Sequence, residues 1–192
     1  MSTSSDVQKR VLVPIAEDSE EIETSSIQDV LARFGADVVV ASTKPDGGLV
    51  CKMSQGLKIM ADITIEEASK EDWDLIALPG GVPGADHLRD CDTLIAMLKK
   101  QQAASKLYGA MCASPAVVLA SHGLVGSGAT CYPVPVFRDE IPNASDDDVV
   151  VQDNVVTSQG PGTSLKFALA LGEQLYGEEK ANTIASEMLV QR

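Results

Sequence analysis

Apolar residues in this chain come in short unbroken runs rather than in strict alternation. Val11-Leu12-Val13-Pro14-Ile15, Val38-Val39-Val40-Ala41 and Leu75-Ile76-Ala77-Leu78 are apolar at every position. That is the pattern of strands covered on both faces, as in a parallel sheet. Between the first two runs, helical spacing predicts a helix over 20–34 that stops at Gly35, a residue suited to a C-terminal cap. This strand–helix–strand unit is compact enough for a crossover connection. A turn at Asp46-Gly47-Gly48 precedes a small hairpin over 49–60, folded around Ser54-Gln55-Gly56. Helical patterning resumes over 84–104. A further apolar strand, Leu107-Tyr108-Gly109-Ala110-Met111, runs into a helix over 116–120. The remaining segments read as β structure near 128–131 and over 149–157 with a turn at Asp153-Asn154, then helices over 164–176 and 178–189. Gly160-Pro161-Gly162-Thr163 breaks the chain before the first of these last two helices.

Strands alternating with helices predict an α/β fold with an open, doubly wound, mostly parallel sheet. With no internal repeat, low-complexity segment or linker, a single domain is expected over 1–192, with a polar tail at 1–8. The composition narrows the function. The 28 acidic residues outnumber the 15 basic ones, for a net charge of −13. Such a surface repels phosphate backbones and anionic lipid, which disfavours nucleic acid as a partner. Four cysteines, Cys51, Cys91, Cys112 and Cys131, are spread without a C-x-x-C pair. That spacing disfavours a zinc site or a disulfide framework. No metal or cofactor is expected. The first residues lack the apolar core of a signal peptide, and no apolar run approaches the length of a membrane span. A reduced, cytoplasmic setting is the expectation.

Ligands of doubly wound sheets lie beyond the carboxyl ends of the strands. Three separated segments fall there: the acidic turn after the first strand, Gly80-Gly81 after the third, and Cys112. Cys112 sits where a strand meets a turn of small residues and then a helix, Met111-Cys112-Ala113-Ser114-Pro115-Ala116. Free N–H groups at a helix start carry partial positive charge, which favours the nucleophilic thiolate. An arbitrary free cysteine is more often a buried core residue; the strand–turn–helix context reverses that balance here. Gly80-Gly81 supplies either a flexible tight turn or backbone donors. With the Ala113 N–H, a donor from Gly81 completes an oxyanion hole over Cys112. Glu20, Glu21 and Glu23 open the first helix, and any one pointing inward meets the thiol. Carboxylate and thiolate raise each other's pKa, so the pair favours sharing one proton, as a neutral carboxyl hydrogen-bonded to thiolate. Of the two histidines, His122 lies ten residues beyond Cys112, about 15 Å along a helix. His87 is less excluded, but both read as surface or capping residues.

Four segments in this order and spacing resemble the ThiJ/PfpI superfamily, and within it the Parkinson-disease-linked DJ branch. They are Ser19-Glu20-Glu21-Ile22-Glu23-Thr24, Leu78-Pro79-Gly80-Gly81, Met111-Cys112-Ala113-Ser114-Pro115 and Ser158-Gln159-Gly160-Pro161-Gly162-Thr163. The resemblance covers about 9–188. It implies a flavodoxin-like fold, a homodimer, and Glu23 as the carboxyl partner of Cys112. Gly81 and Ala113 match its oxyanion-hole positions, with Gly80 and Tyr132 as neighbours of the site. It further implies cofactor-free glyoxalase activity on α-oxoaldehydes or their early adducts on protein side chains. The rival implication is redox sensing with chaperone-like protection, Cys112 being oxidised to sulfinate. The protease-like branch carries a histidine where this chain has Ala113, which disfavours a peptidase. Some members place a histidine near the site where this chain reads Cys131-Tyr132-Pro133, so a histidine-assisted mechanism loses support; Tyr132 reads equally as a hydrogen-bond donor or as a structural tyrosine.

Overall fold

A computed structural model describes residues 8–191. The tail expected at 1–8 lies, through residue 7, outside the described residues. In chain order the elements are β1 (Arg10–Ile15), α1 (Glu21–Arg33), β2 (Asp37–Ser42), β3 (Val50–Lys52), β4 (Lys58–Met60), β5 (Ile63–Thr64), α2 (Ile65–Ala68), β6 (Leu75–Leu78), α3 (Gly84–Arg89) and α4 (Asp92–Ala103). There follow β7 (Leu107–Met111), α5 (Pro135–Arg138), β8 (Val149–Gln152), β9 (Val155–Ser158), α6 (Ser164–Tyr176) and α7 (Glu178–Glu187). Seven strands form one sheet in the order β5-β2-β1-β6-β7-β9-β8, and β3 and β4 form a separate antiparallel hairpin. All pairings in the large sheet are parallel except β8 with β9. This is the mostly parallel, helix-flanked sheet that the apolar runs predict, and the flavodoxin-like fold that the family resemblance implies.

The unbroken apolar runs have a direct cause. Val11, Val13 and Ile15 face one side of β1 and pack with Ile27 and Leu31 of α1 and with Phe167 and Leu171 of α6. Leu12 faces the other side, among Leu94 and Leu98 of α4 and Tyr108 and Ala110 of β7. With helices on both faces, no position from Val11 to Ile15 or along β6 is left for water, and alternation disappears there.

Several boundaries differ from the sequence reading. The single helical stretch over 84–104 is two helices, because Cys91 adopts an extended conformation (φ −88°, ψ 94°) and restarts the chain as the N-cap of α4. The helix after Cys112 is a wide π turn, Pro115–Leu119, closed by the Ala120 N–H donating to the Pro115 carbonyl. A 3-10 turn, Ala120–His122, follows it. No strand forms at 128–131. This buried segment is held by irregular bonds instead: Gly128 N–H to the Pro142 carbonyl, Thr130 N–H to Thr157 Oγ1, and Ser145 N–H to the Ala129 carbonyl. The sequence reading also passed over α2 and α5. The signal for α2 was present: Thr64 and Glu67 form a reciprocal capping box.

Candidate functional site

Cys112 is the first residue after β7, and its backbone is held from both sides. Its N–H donates to the Ser158 carbonyl at the end of β9 (3.0 Å), and its carbonyl accepts from the Tyr132 N–H (2.8 Å). Its φ is +62°, a left-handed conformation uncommon for a residue with a side chain. Such strain is tolerated where the surroundings over-determine it and clusters at functional positions. The result is a partly exposed thiol standing above the sheet edge.

The turn after β6 fits against it because it is glycine. A Cβ on Gly80 would lie 2.5 Å from Cys112 Cβ, and one on Gly81 (φ +93°) would lie 2.4 Å from the Asp18 carbonyl oxygen. Ser114 ties the two turns together, its Oγ donating to the Pro79 carbonyl at 2.6 Å. The backbone N–H groups of Gly81 and Ala113 lie close enough to the Cys112 sulfur to favour its ionised form. Sequence reasoning did not single out Ser114; its burial and its bond to Pro79 appear only with the fold.

The three glutamates at the start of α1 take three directions. Glu20 is the N-cap, accepting from the Glu23 N–H. Glu21 reaches the hairpin, accepting from Ser54 Oγ (3.1 Å) and from the Gln55 N–H (3.0 Å) and Leu57 N–H (3.3 Å). Glu23 points inward and is fully buried. Its Oε2 accepts from the Gly80 N–H at 2.6 Å. Its Oε1 is buried with no partner of hydrogen-bond geometry, and the group it couples to is the Cys112 thiol.

Electrostatics follow from this packing. Burial pushes the Glu23 carboxyl up to about 7, against the opposing pull of the Gly80 N–H and Cys112. Burial, and next the charge of Glu23, push the Cys112 thiol up to about 12, although the Gly81 and Ala113 N–H groups act in the other direction. The helix-start expectation of a depressed thiol pKa is therefore reversed in sign. The donors are present, but desolvation and a neighbouring carboxylate outweigh them. Between these two values the pair holds one proton. One backbone donor favours charge on the carboxyl, and two favour charge on sulfur.

The structure thus brings Cys112, Glu23, Gly80, Gly81 and Ala113 together. Tyr132 adjoins through its backbone, and its ring lies along Gly160, 3.2 Å from where a Cβ would be. Neither histidine joins the site. His87 Nδ1 pairs with the Glu17 carbonyl (3.0 Å) and His122 Nε2 with the Arg89 carbonyl (3.2 Å). Cys51 and Cys131 are buried core residues, and burial pushes the thiols of Cys51, Cys91 and Cys131 up as well. Among the described residues, no three His, Cys, Asp or Glu side chains are grouped to hold a metal ion, and no helix is long and apolar enough to cross a membrane.

The model of the DJ-1/PfpI family matches residues 9–174. The chain is 44% identical to Protein DJ-1 homolog B of Arabidopsis thaliana over 94% of its own length, and spans 41%, under half, of that relative. It is 39% identical to Glutathione-independent glyoxalase DJR-1.2 of Caenorhabditis elegans, covering 91% of each chain. Among solved structures, Toxoplasma gondii DJ-1 in its oxidized form superposes with a TM-score of 0.91 at 46% identity, over 96% of this chain and 100% of that one.

Proposed function

The chain belongs to the DJ-1/PfpI family, and from that premise we propose that it is a cofactor-independent cysteine enzyme of glyoxalase type. Its substrates are small α-oxoaldehydes such as methylglyoxal, or their early adducts on protein side chains. The observation that carries this reading is the pairing of Cys112 with a buried carboxyl raised to about 7, beneath two backbone donors. A relative bearing the name glutathione-independent glyoxalase supports it.

With the shared proton on Glu23, the Cys112 thiolate attacks the aldehyde carbon and forms a C–S bond. The electron pair of the carbonyl moves to oxygen, where the Gly81 and Ala113 N–H groups stabilise the oxyanion. The neutral Glu23 acid protonates that oxygen to give a hemithioacetal. The Glu23 carboxylate then removes the hydrogen from the former aldehyde carbon and returns a proton to the adjacent carbon, while the hydroxyl proton of the first carbon passes to the oxygen of the second. This internal transfer oxidises the first carbon to a thioester and reduces the second to an alcohol. Addition of one water releases the 2-hydroxy acid and the thiol. No external oxidant or reductant is required. The deciding experiment is steady-state turnover of methylglyoxal by metal-free protein, with lactate as the measured product. Wild type should turn over and Cys112→Ser should not.

A second reading, redox sensing through Cys112, is favoured by the unpartnered Glu23 Oε1 beside the sulfur. A protonated carboxyl there can donate to a sulfinate oxygen formed at the expense of two equivalents of peroxide. A Glu23→Gln change that alters the oxidation product, in a protein without turnover, would favour this reading. For assembly, we propose a homodimer through the β3–β4 hairpin and the start of α1. Ile22 (55% exposed), Leu57 (53%) and Met60 (73%) leave apolar surface there, on segments that Glu21 ties together.

A further inference from the structure

Glutamate is outside the Ser, Thr, Asp and Asn set that usually caps helices, yet Glu20 caps α1. Its carboxyl closes a ring of three hydrogen bonds. The Glu20 N–H donates to the Gly80 carbonyl at 3.0 Å. The Gly80 N–H donates to Glu23 Oε2 at 2.6 Å. The Glu23 N–H donates to Glu20 Oε2 at 2.7 Å. Helix start, oxyanion turn and inward carboxyl are thereby locked as one unit.

We propose that Glu20 is a positioning residue of this site: its carboxylate closes the ring that aims Glu23 at Cys112, and its negative charge opposes ionisation of Glu23, enlarging the share of the reactive form with neutral carboxyl and thiolate. The inference rests on reading Cys112 and Glu23 as the reactive pair. The groups involved are few. Glu23 faces Glu20 from its own helix and Cys112 from the turn after β7, while the turn after β6 presents only the backbone of Gly80 and Gly81. Glu20 in turn faces Glu21, which the hairpin holds. Glu20 is 8% exposed, so its charge is poorly screened. Burial raises its own titration, but the Glu23 N–H and the positive end of a 13-residue helix favour its ionised form. The charge of Glu20 opposes ionisation of Glu23 and is not among the leading influences on Cys112. Removing it therefore shifts the pair toward carboxylate and thiol, the unreactive arrangement.

The test is the pH profile of Cys112 alkylation by iodoacetamide, followed by peptide mapping. Glu20→Gln keeps an oxygen acceptor for the cap and removes only the charge. It should move the rising limb to lower pH by about 0.5 unit and lower the plateau rate by about threefold. Glu20→Asp keeps the charge and should leave the limb where wild type has it. A Glu20→Gln profile coincident with wild type, or displaced to higher pH, would overturn the proposal and leave Glu20 a helix cap. A Glu20→Asp limb that moves as Gln does would also overturn it. Because alkylation needs no turnover, the expected shift in a protein inert toward methylglyoxal would sustain this inference and sink the glyoxalase reading.

Discussion

Gly80, Cys112 and Glu23 show how few side chains the site needs and how little each can change. The pH behaviour of the pair is set by Glu23, whose carboxyl rises from 4.5 to about 7 in the fold. A carboxyl raised in this way stabilises the native state fully below pH 4.5, and that contribution is lost as pH rises through about 7. Taken alone, the shift corresponds to roughly 3 kcal/mol across this window. Urea unfolding at a series of pH values should show stability falling with pH there, and Glu23→Gln should flatten the slope. Alkylation of wild-type Cys112 should climb through the same region, since the two-proton state of the pair that dominates below it contains no thiolate. Glu23→Gln should abolish turnover while leaving Cys112 trappable by aldehyde, as an amide holds the hydrogen bond but shuttles no proton. A trapped adduct seen by mass spectrometry without lactate formation is the expected result. Cys112→Ser should keep the fold and lose all aldehyde consumption, because among the described residues neither histidine lies near enough to activate a hydroxyl.

At the scale of elements, the site depends on α1 being pressed against the sheet at one depth. Helix α6 sets that depth. Gly172 lies where a Cβ would come within 2.2 Å of the Phe34 ring, and Phe34 is fully buried at the C-terminal end of α1. The ring stacks on Tyr176 at 5.7 Å between centroids, so it has no free direction in which to yield. Gly172→Ala, although favourable for helix propensity, should therefore destabilise the protein by about 1–3 kcal/mol through overpacking. A lowered thermal midpoint measured by circular dichroism is expected. Turnover per folded molecule should fall as well, since α1 carries Glu23. The strand ends have a comparable role: Met111 is in register with Ser158 across β7 and β9. That pairing delivers the Ser158 carbonyl to the Cys112 N–H and holds the residue at positive φ.

For the whole molecule, charge and exposed apolar surface describe its associations. A net charge of −13 keeps copies apart unless a local apolar face overcomes the repulsion. The proposed dimer face around Met60, Leu57 and Ile22 makes a direct prediction. Met60→Glu should yield monomer by light scattering with an unchanged circular dichroism spectrum, whereas a dimer that persists would move the interface elsewhere. Raising the salt concentration should strengthen wild-type association by screening like charge across the contact.

The strand pattern, the first crossover unit and the segments at the carboxyl edge were legible in the sequence, because burial on both faces writes itself directly into residue type. So was the place of Cys112 at the end of a strand beside the Gly80-Gly81 turn, since a strand running into small residues and proline has few structural meanings. The assignment among Glu20, Glu21 and Glu23 came into the sequence reading only through a family resemblance. Helical spacing places all three within one turn of each other, and only the packing of α1 against Gly80 and the hairpin separates cap, tether and inward carboxyl. The loss of a strand at 128–131 was likewise invisible, because it is settled by partners distant in the chain, and the extended backbone at Cys91 left no mark in the apolar spacing of 84–104. The sign of the Cys112 shift was the tertiary structure's decision too. A helix start acts locally and can be read from the sequence, whereas desolvation and the charge of a residue 89 positions away exist only once the chain is folded.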